Sequence, residues 1–142
     1  MYFHKEFIRP RYEETDQMGV IYHGNYITWF EQARSGFFRS LGYPYKQLED
    51  EGFWIPVIEV GCKYIAPAKY DEEVYVKTFV DEFKGVRITL RYEVYDVETD
   101  QLLVEGFTKH ATTDKQLKPV SLKKKAPDLY NIISKSMETD KK

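Results

Sequence analysis

A single cysteine, Cys62, leaves this chain without an internal disulfide, which agrees with a reducing compartment. No apolar run approaches the roughly 20 residues of a membrane span, and Met1 to Arg11 lacks the apolar core of a signal peptide. A cytoplasmic protein is the expectation. An excess of one charge is missing too: 21 basic and 23 acidic residues leave a net charge of -2, so there is no global field of the kind that binds nucleic acid. His4 and His110 are scattered, and no set of His, Cys and acids has ligand spacing, so no metal site is expected. No Gly-x-Ser-x-Gly elbow, Walker loop or dinucleotide fingerprint occurs, and serine hydrolase and nucleotide readings lose their support. Internal repeats and low-complexity linkers are absent. The 142 residues are expected to form one domain, 1–142, long enough to bury about two thirds of the surface the unfolded chain exposes.

Aromatic residues, in contrast, are plentiful, with 12 Tyr, 9 Phe and 2 Trp. They supply strand and core material first, and a ring-lined pocket second. The most informative stretch runs from Tyr12 to Leu41. In its second half Tyr26, Phe30, Ala33, Phe37 and Leu41 recur at steps of four, three, four and four, with Ile27 and Phe38 beside them. That spacing predicts a helix from about Gly24 to Leu41, with Gly42 in the C-capping place. Gly36 inside it costs about 1 kcal/mol relative to Ala and is read as a close-packing position against a sheet. Thr28 followed by Glu31 offers a rival start resembling a capping box, but the periodicity already holds from Tyr26.

The first half is a turn-like run, Glu14 to Met18, which delivers Asp16 close to the start of that helix. A helix start has unpaired N–H groups and partial positive charge, so it holds an oxyanion. His23, Gly24 and Asn25 supply those amides. A carboxylate beside such a hole suits hydrolysis of a thioester, whose carbonyl is electrophilic and whose thiol, with a pKa of about 8.5, leaves with little help from an acid.

Glu14-Thr15-Asp16, Gly19-Val20-Ile21-Tyr22-His23, Asn25-Tyr26 and Phe30-Glu31-Gln32-Ala33-Arg34 resemble the signature of the 4-hydroxybenzoyl-CoA thioesterase family, in its bacterial acyl-CoA thioesterase branch. Tyr64-Ile65-Ala66-Pro67-Ala68-Lys69-Tyr70-Asp71 resembles a second segment of that family, and Lys118-Pro119-Val120 a third. The resemblance implies a hotdog fold, an acyl-CoA substrate, no cofactor, and a homodimer that extends the sheet across subunits and is often paired again into a homotetramer. It also implies a basic rim for CoA. Lys63, Arg87, Arg91 and Lys123 to Lys125 are the cations at hand, and none is assigned to it.

Along the rest of the chain, Tyr2 to Tyr12 reads as an edge strand, since Pro10 cannot donate to a ladder. Pro44 to Glu51 reads as a helical turn ending at Gly52. Four strands follow. Ile58, Val60, Cys62 and Tyr64 share one face of the first; Val74, Val76, Thr78 and Val80 mark the second, up to a hairpin at Lys84-Gly85. Val86, Ile88, Leu90, Tyr92 and Val94 alternate in the third, and Leu102 to Thr113 form the fourth. From about residue 123 to 142 comes a C-terminal tail or short helix, opened by Pro127 with Leu129, Ile132, Ile133 and Met137 as its stripe, and Glu138 to Lys142 are expected to fray. The order of elements is α+β; with the resemblance, it becomes an antiparallel five-stranded sheet wrapped around one long helix.

Each candidate has two readings. Asp16 is either the nucleophile or general base, or a turn acid bonding its own backbone. His23 contributes a backbone N–H, shared with Gly24, or a side-chain acid-base group. Tyr22, Tyr26 and Phe30 line an acyl pocket or pack the core. Glu31 is the second-choice acid, with a local ion pair to Arg34 at i+3 as its commoner use. Cys62 is a buried, inert thiol by default. Against acyl-CoA hydrolysis stand a noncatalytic acyl-CoA binding or sensing module and a hotdog hydratase or dehydratase, whose Asp and His pair is spaced more closely than Asp16 and His23.

Overall fold

The computed structural model describes residues 1–138. The expected fraying of the last residues falls, beyond Glu138, outside the described residues. Strands β1 (His4–Ile8), β2 (Val57–Tyr64), β3 (Val74–Lys84), β4 (Arg87–Asp96) and β5 (Leu102–Ala111) form one antiparallel sheet in the order β1-β3-β4-β5-β2. Helices α1 (Asn25–Ser40), α2 (Tyr45–Asp50), α3 (Leu122–Lys125) and α4 (Pro127–Ser136) complete it. This is the hotdog arrangement, five strands around one long helix.

Helix α1 starts at Asn25, not at the rival site near Thr28. Tyr26, Phe30, Ala33 and Phe37 of the predicted stripe are at most 2% exposed and Phe38 joins them in the core, whereas Leu41 falls at the C-cap and is only partly buried, and Ile27 is 42% exposed. Each large ring so buried stabilises the fold by about 1.5 to 3 kcal/mol. At the other end Gly42 takes φ +85, its N–H donating to Arg39 O and that of Tyr43 to Phe38 O, both at 3.0 Å. This is a Schellman cap, which a side chain with a Cβ adopts only under strain. Gly36 does lie against the sheet: a Cβ there would stand 2.2 Å from Glu6 Oε1 and 2.7 Å from His4 Nε2 of β1.

Alternation is kept where expected. Val74, Val76, Thr78 and Val80 are buried on β3, as are Ile88, Leu90, Tyr92 and Val94 on β4. The β3–β4 hairpin closes through a two-residue loop, with Gly85 at φ +62 between paired Lys84 and Arg87. Leu129 and Ile133 of α4 are fully buried.

The two sheet edges are β1 and β2. β2 departs from the expectation of a buried thiol: Cys62 is only partly buried, and Val57, Ile58, Val60 and Tyr64 are 41 to 49% exposed. The apolar face of this strand has no full cover among the described residues. Among the described residues, no helix is long and apolar enough to cross a membrane.

Candidate active site

Asp16 sits in a small hairpin that leads into α1. Its N–H donates to Val20 O at 2.9 Å, Gly19 N–H donates back to Asp16 O at 3.1 Å, and Thr15 pairs with Ile21. Gly19 at φ +81 supplies the left-handed residue that such a three-residue loop requires. The side chain also serves the turn, because Asp16 Oδ1 accepts Met18 N–H at 2.8 Å. Asp16 Oδ2 accepts no hydrogen bond among the described residues. The turn reading of this acid is met through Oδ1, and Oδ2 is left over.

What ties the hairpin to the helix is Glu14. Glu14 is 6% exposed; its Oε1 accepts Arg11 N–H at 2.8 Å and Oε2 accepts the Trp29 indole N–H at 2.9 Å. Its carbonyl accepts Tyr22 N–H at 2.9 Å and the Asn25 side-chain amide at 2.8 Å. Sequence reasoning used Glu14 as a motif letter and missed this role. The only signal available was an acid preceding a helix that carries a tryptophan, too weak to pair them.

At the helix start, Gly24 occupies the N-cap position without a side-chain cap, and no acid lies in the first turn. Asn25 N–H donates to Tyr22 O at 2.9 Å, whereas the N–H groups of His23 and Gly24 find no acceptor among the described residues. Asp16 and His23 line one cavity of about 260 Å³ together with Tyr26, Tyr64, Ala66 and Pro67. Its far wall is the second motif segment, held by Ile21 N–H to Ala68 O at 3.0 Å and by Ala68 N–H to the Tyr26 hydroxyl at 3.0 Å. Tyr64 donates to His23 O at 3.1 Å. Burial first, and the neighbouring charges of Cys62 and Asp16 after it, push the Tyr26 phenol up. Burial likewise raises the Cys62 thiol, and Tyr64 is pushed up to about 12 by burial and then by Cys62. These groups stay protonated near neutrality, so Tyr26 and Tyr64 act as hydrogen-bonding phenols and Cys62 as an inert thiol.

The other candidates lie elsewhere. Tyr22 is 48% exposed, its ring beside Gly24 and 4.4 Å from the His23 ring, and does not line this cavity. Phe30 is fully buried and stacked on Tyr92, centroids 4.4 Å apart at 8°. Glu31 faces a separate cavity of about 380 Å³ with Arg34, Tyr45, Phe53 and Trp54, sharing no lining residue with the first. The expected Glu31–Arg34 ion pair does not form among the described residues. Arg34 instead turns inward, donating to the Tyr45 hydroxyl at 2.8 Å and the Tyr92 hydroxyl at 3.1 Å. Of the basic residues at hand for CoA, Arg91 pairs with Asp81 at 3.0 Å. Among the described residues no group of His, Cys, Asp and Glu converges in a way that would hold a metal ion.

Comparison with known proteins agrees with this architecture. The family model of the Thioesterase-like superfamily matches residues 10–131. The Haemophilus influenzae acyl-CoA thioesterase YbgC is 32% identical over 126 residues, covering 87% of this chain and 91% of its own. The crystal structure of a Staphylococcus aureus DHNA-CoA thioesterase superimposes with a TM-score of 0.90 at 38% identity, covering 95% of this chain and 91% of that one. Slr0204, a 1,4-dihydroxy-2-naphthoyl-CoA thioesterase from Synechocystis, shares the fold with a TM-score of 0.85 at 18% identity, over 97% and 100% of the two chains.

Proposed function

This chain belongs to the Thioesterase-like superfamily, and from that membership we propose that it hydrolyses an acyl-CoA thioester to the free acid and CoA. The observation that carries the reading is the shared cavity. Asp16 and His23 line it, and at the adjoining helix start the N–H groups of His23 and Gly24 have no acceptor among the described residues. In the proposed reaction the thioester oxygen accepts these two N–H groups as the carbonyl carbon becomes tetrahedral. Each such donor is worth roughly 3 to 4 kcal/mol in other enzymes. Asp16 acts through Oδ2, while Oδ1 stays anchored to Met18. Either Oδ2 attacks the carbonyl, forming an anhydride and releasing the CoA thiolate before water cleaves the anhydride, or it takes a proton from the water that attacks. Tyr26 borders the acyl group in this reading, and no cofactor takes part.

The uncovered apolar face of β2 supports a second element of the reading, a homodimer joined at that edge. An exposed edge strand with Ile58 and Val60 open to solvent is a template for pairing. A cytoplasmic location completes the proposal.

The test is thiol release across a panel of acyl-CoA esters, with aliphatic chains beside 4-hydroxybenzoyl-CoA and 1,4-dihydroxy-2-naphthoyl-CoA. Asp16→Asn run in parallel should lower turnover by roughly 10² to 10⁴ with the fold intact. Binding of CoA esters without thiol release would favour a sensing module, hydration of an enoyl-CoA a hydratase, and near wild-type turnover in Asp16→Asn would remove that residue from its role.

A further inference from the structure

The two open N–H groups at the start of α1 belong to two consecutive peptide units, and each unit has a carbonyl at its other end. A trans peptide is planar, so its C=O and N–H point in opposite directions and whatever fixes one fixes the other. His23 N–H shares its unit with the Tyr22 carbonyl, which accepts Asn25 N–H at 2.9 Å. That unit is held by the main chain. Gly24 N–H shares its unit with the His23 carbonyl, which accepts no main-chain N–H among the described residues; its donor is the Tyr64 hydroxyl, at 3.1 Å. One of the two amides thus depends for its direction on a side chain 41 residues further along. Tyr64 is well anchored for this. It is the last residue of β2, paired with Val104 of β5, and the next two N–H groups, those of Ile65 and Ala66, both donate to Leu103 O, at 2.9 and 3.0 Å. Its ring leans on Tyr26, centroids 5.6 Å apart, and stands edge-on to the His23 imidazole at 6.2 Å.

We infer that Tyr64 is a positioning residue for the hydrolysis proposed above: its hydroxyl, by holding the His23 carbonyl, aims the Gly24 N–H at the oxygen of the thioester. The inference rests on that reading of the cavity. Two physical effects follow from the one hydrogen bond. An oxyanion donor must stand about 2.7 to 3.1 Å from the place where the negative oxygen forms, and a peptide unit free to rotate holds that position only part of the time. A hydrogen bond accepted by a carbonyl also draws charge through the amide and strengthens the N–H at its other end. The hydroxyl is committed to His23 O in this arrangement and does not touch the reacting atoms. Its effect therefore belongs to the transition state, where charge builds on the oxygen, and not to ground-state binding. Tyr64 is 48% exposed, so water reaches the His23 carbonyl once the phenol is removed, and the loss is partial.

The experiment is steady-state thiol release by the full chain, with circular dichroism to confirm folding, combined with a proton–nitrogen correlation spectrum of labelled protein. Tyr64→Phe keeps the ring and should lower kcat roughly tenfold, with KM within about twofold. Gly24→Pro removes the N–H itself at a position whose φ of -68 suits proline, and should lower kcat by roughly 10² or more. Adding Tyr64→Phe to it should change kcat by less than about twofold, because the hydroxyl then has no donor left to aim. In the spectrum of Tyr64→Phe the Gly24 amide should shift more than that of Asn25, whose N–H stays bonded to Tyr22 O. An unmodified chain that releases no thiol from any ester removes the functional reading and this inference with it. In an active chain, an unchanged kcat in Tyr64→Phe, a rise in KM in place of the fall in kcat, or a full further tenfold loss in the double variant overturns the inference alone. Should Gly24→Pro fail to fold, an unmoved Gly24 amide in Tyr64→Phe overturns it equally.

Discussion

The indole N–H of Trp29 on α1 donates to Glu14 Oε2 at 2.9 Å inside the protein, so the loop that carries Asp16 is pinned to the helix that supplies the open amides. Glu14→Ala strands the buried indole donor and the Arg11 N–H, and should lower stability by about 2 to 3 kcal/mol in urea unfolding. Trp29→Phe combined with it should cost less than the two changes summed, since each removes the same bond. Strict additivity would show that the contact carries no energy.

Replacing His23 by Ala separates the backbone from the ring. Turnover should stay within roughly threefold of the wild type, because a main-chain donor survives a side-chain change. A hundredfold loss, about 2.7 kcal/mol by transition-state arithmetic, would assign the imidazole a direct part instead.

His110 makes stability depend on pH. It is fully buried on β5, and burial, then the Arg34 charge, push its pKa down to about 4 from 6.5. Its hydrogen bonds define the neutral form. The Ile55 carbonyl only accepts, so Nδ1 carries the proton, and Nε2 accepts from Thr108 at 2.7 Å. Thr108 in turn accepts from the Tyr92 hydroxyl at 2.6 Å, which accepts from Arg34. The unfolded chain binds a proton near 6.5 and the folded one only near 4. Stability is thus fully present above about 6.5 and declines as pH falls toward 4, by about 3 kcal/mol. Denaturant midpoints across that range test it, and His110→Gln should flatten the slope.

Gly106 of β5 lies under the helix, where a Cβ would come 2.5 Å from the Phe30 ring and 2.9 Å from Gly61 O. Phe30 cannot retreat, because it is stacked on Tyr92 and fully buried. Gly106→Ala should therefore destabilise by about 1 to 3 kcal/mol, read as a lower melting temperature. A neutral result would mean that β5 and α1 move apart more easily than their packing implies.

Much of the fold was legible in local spacing. The steps of four and three from Tyr26 to Phe37 specify a helix face, and the alternation from Val74 to Val94 specifies two strands, because side-chain direction follows from backbone period alone. The placing of Asp16 just before a helix start was legible for the same reason. Arg34 was not. By spacing it follows Phe30 by four and so belongs to the inward face, yet its nearest acid in sequence, Glu31, suggested a surface pair. Its partner Tyr92 stands 58 residues away, and only the packing of β4 across α1 brings the two together. Phe30 passed from pocket candidate to core through the same strand. The pairing of Glu14 with Trp29 and the open apolar face of β2 also arise between segments distant in the chain. Periodicity determines which way each side chain points; what it points at depends on strand order and register, which no local pattern contains.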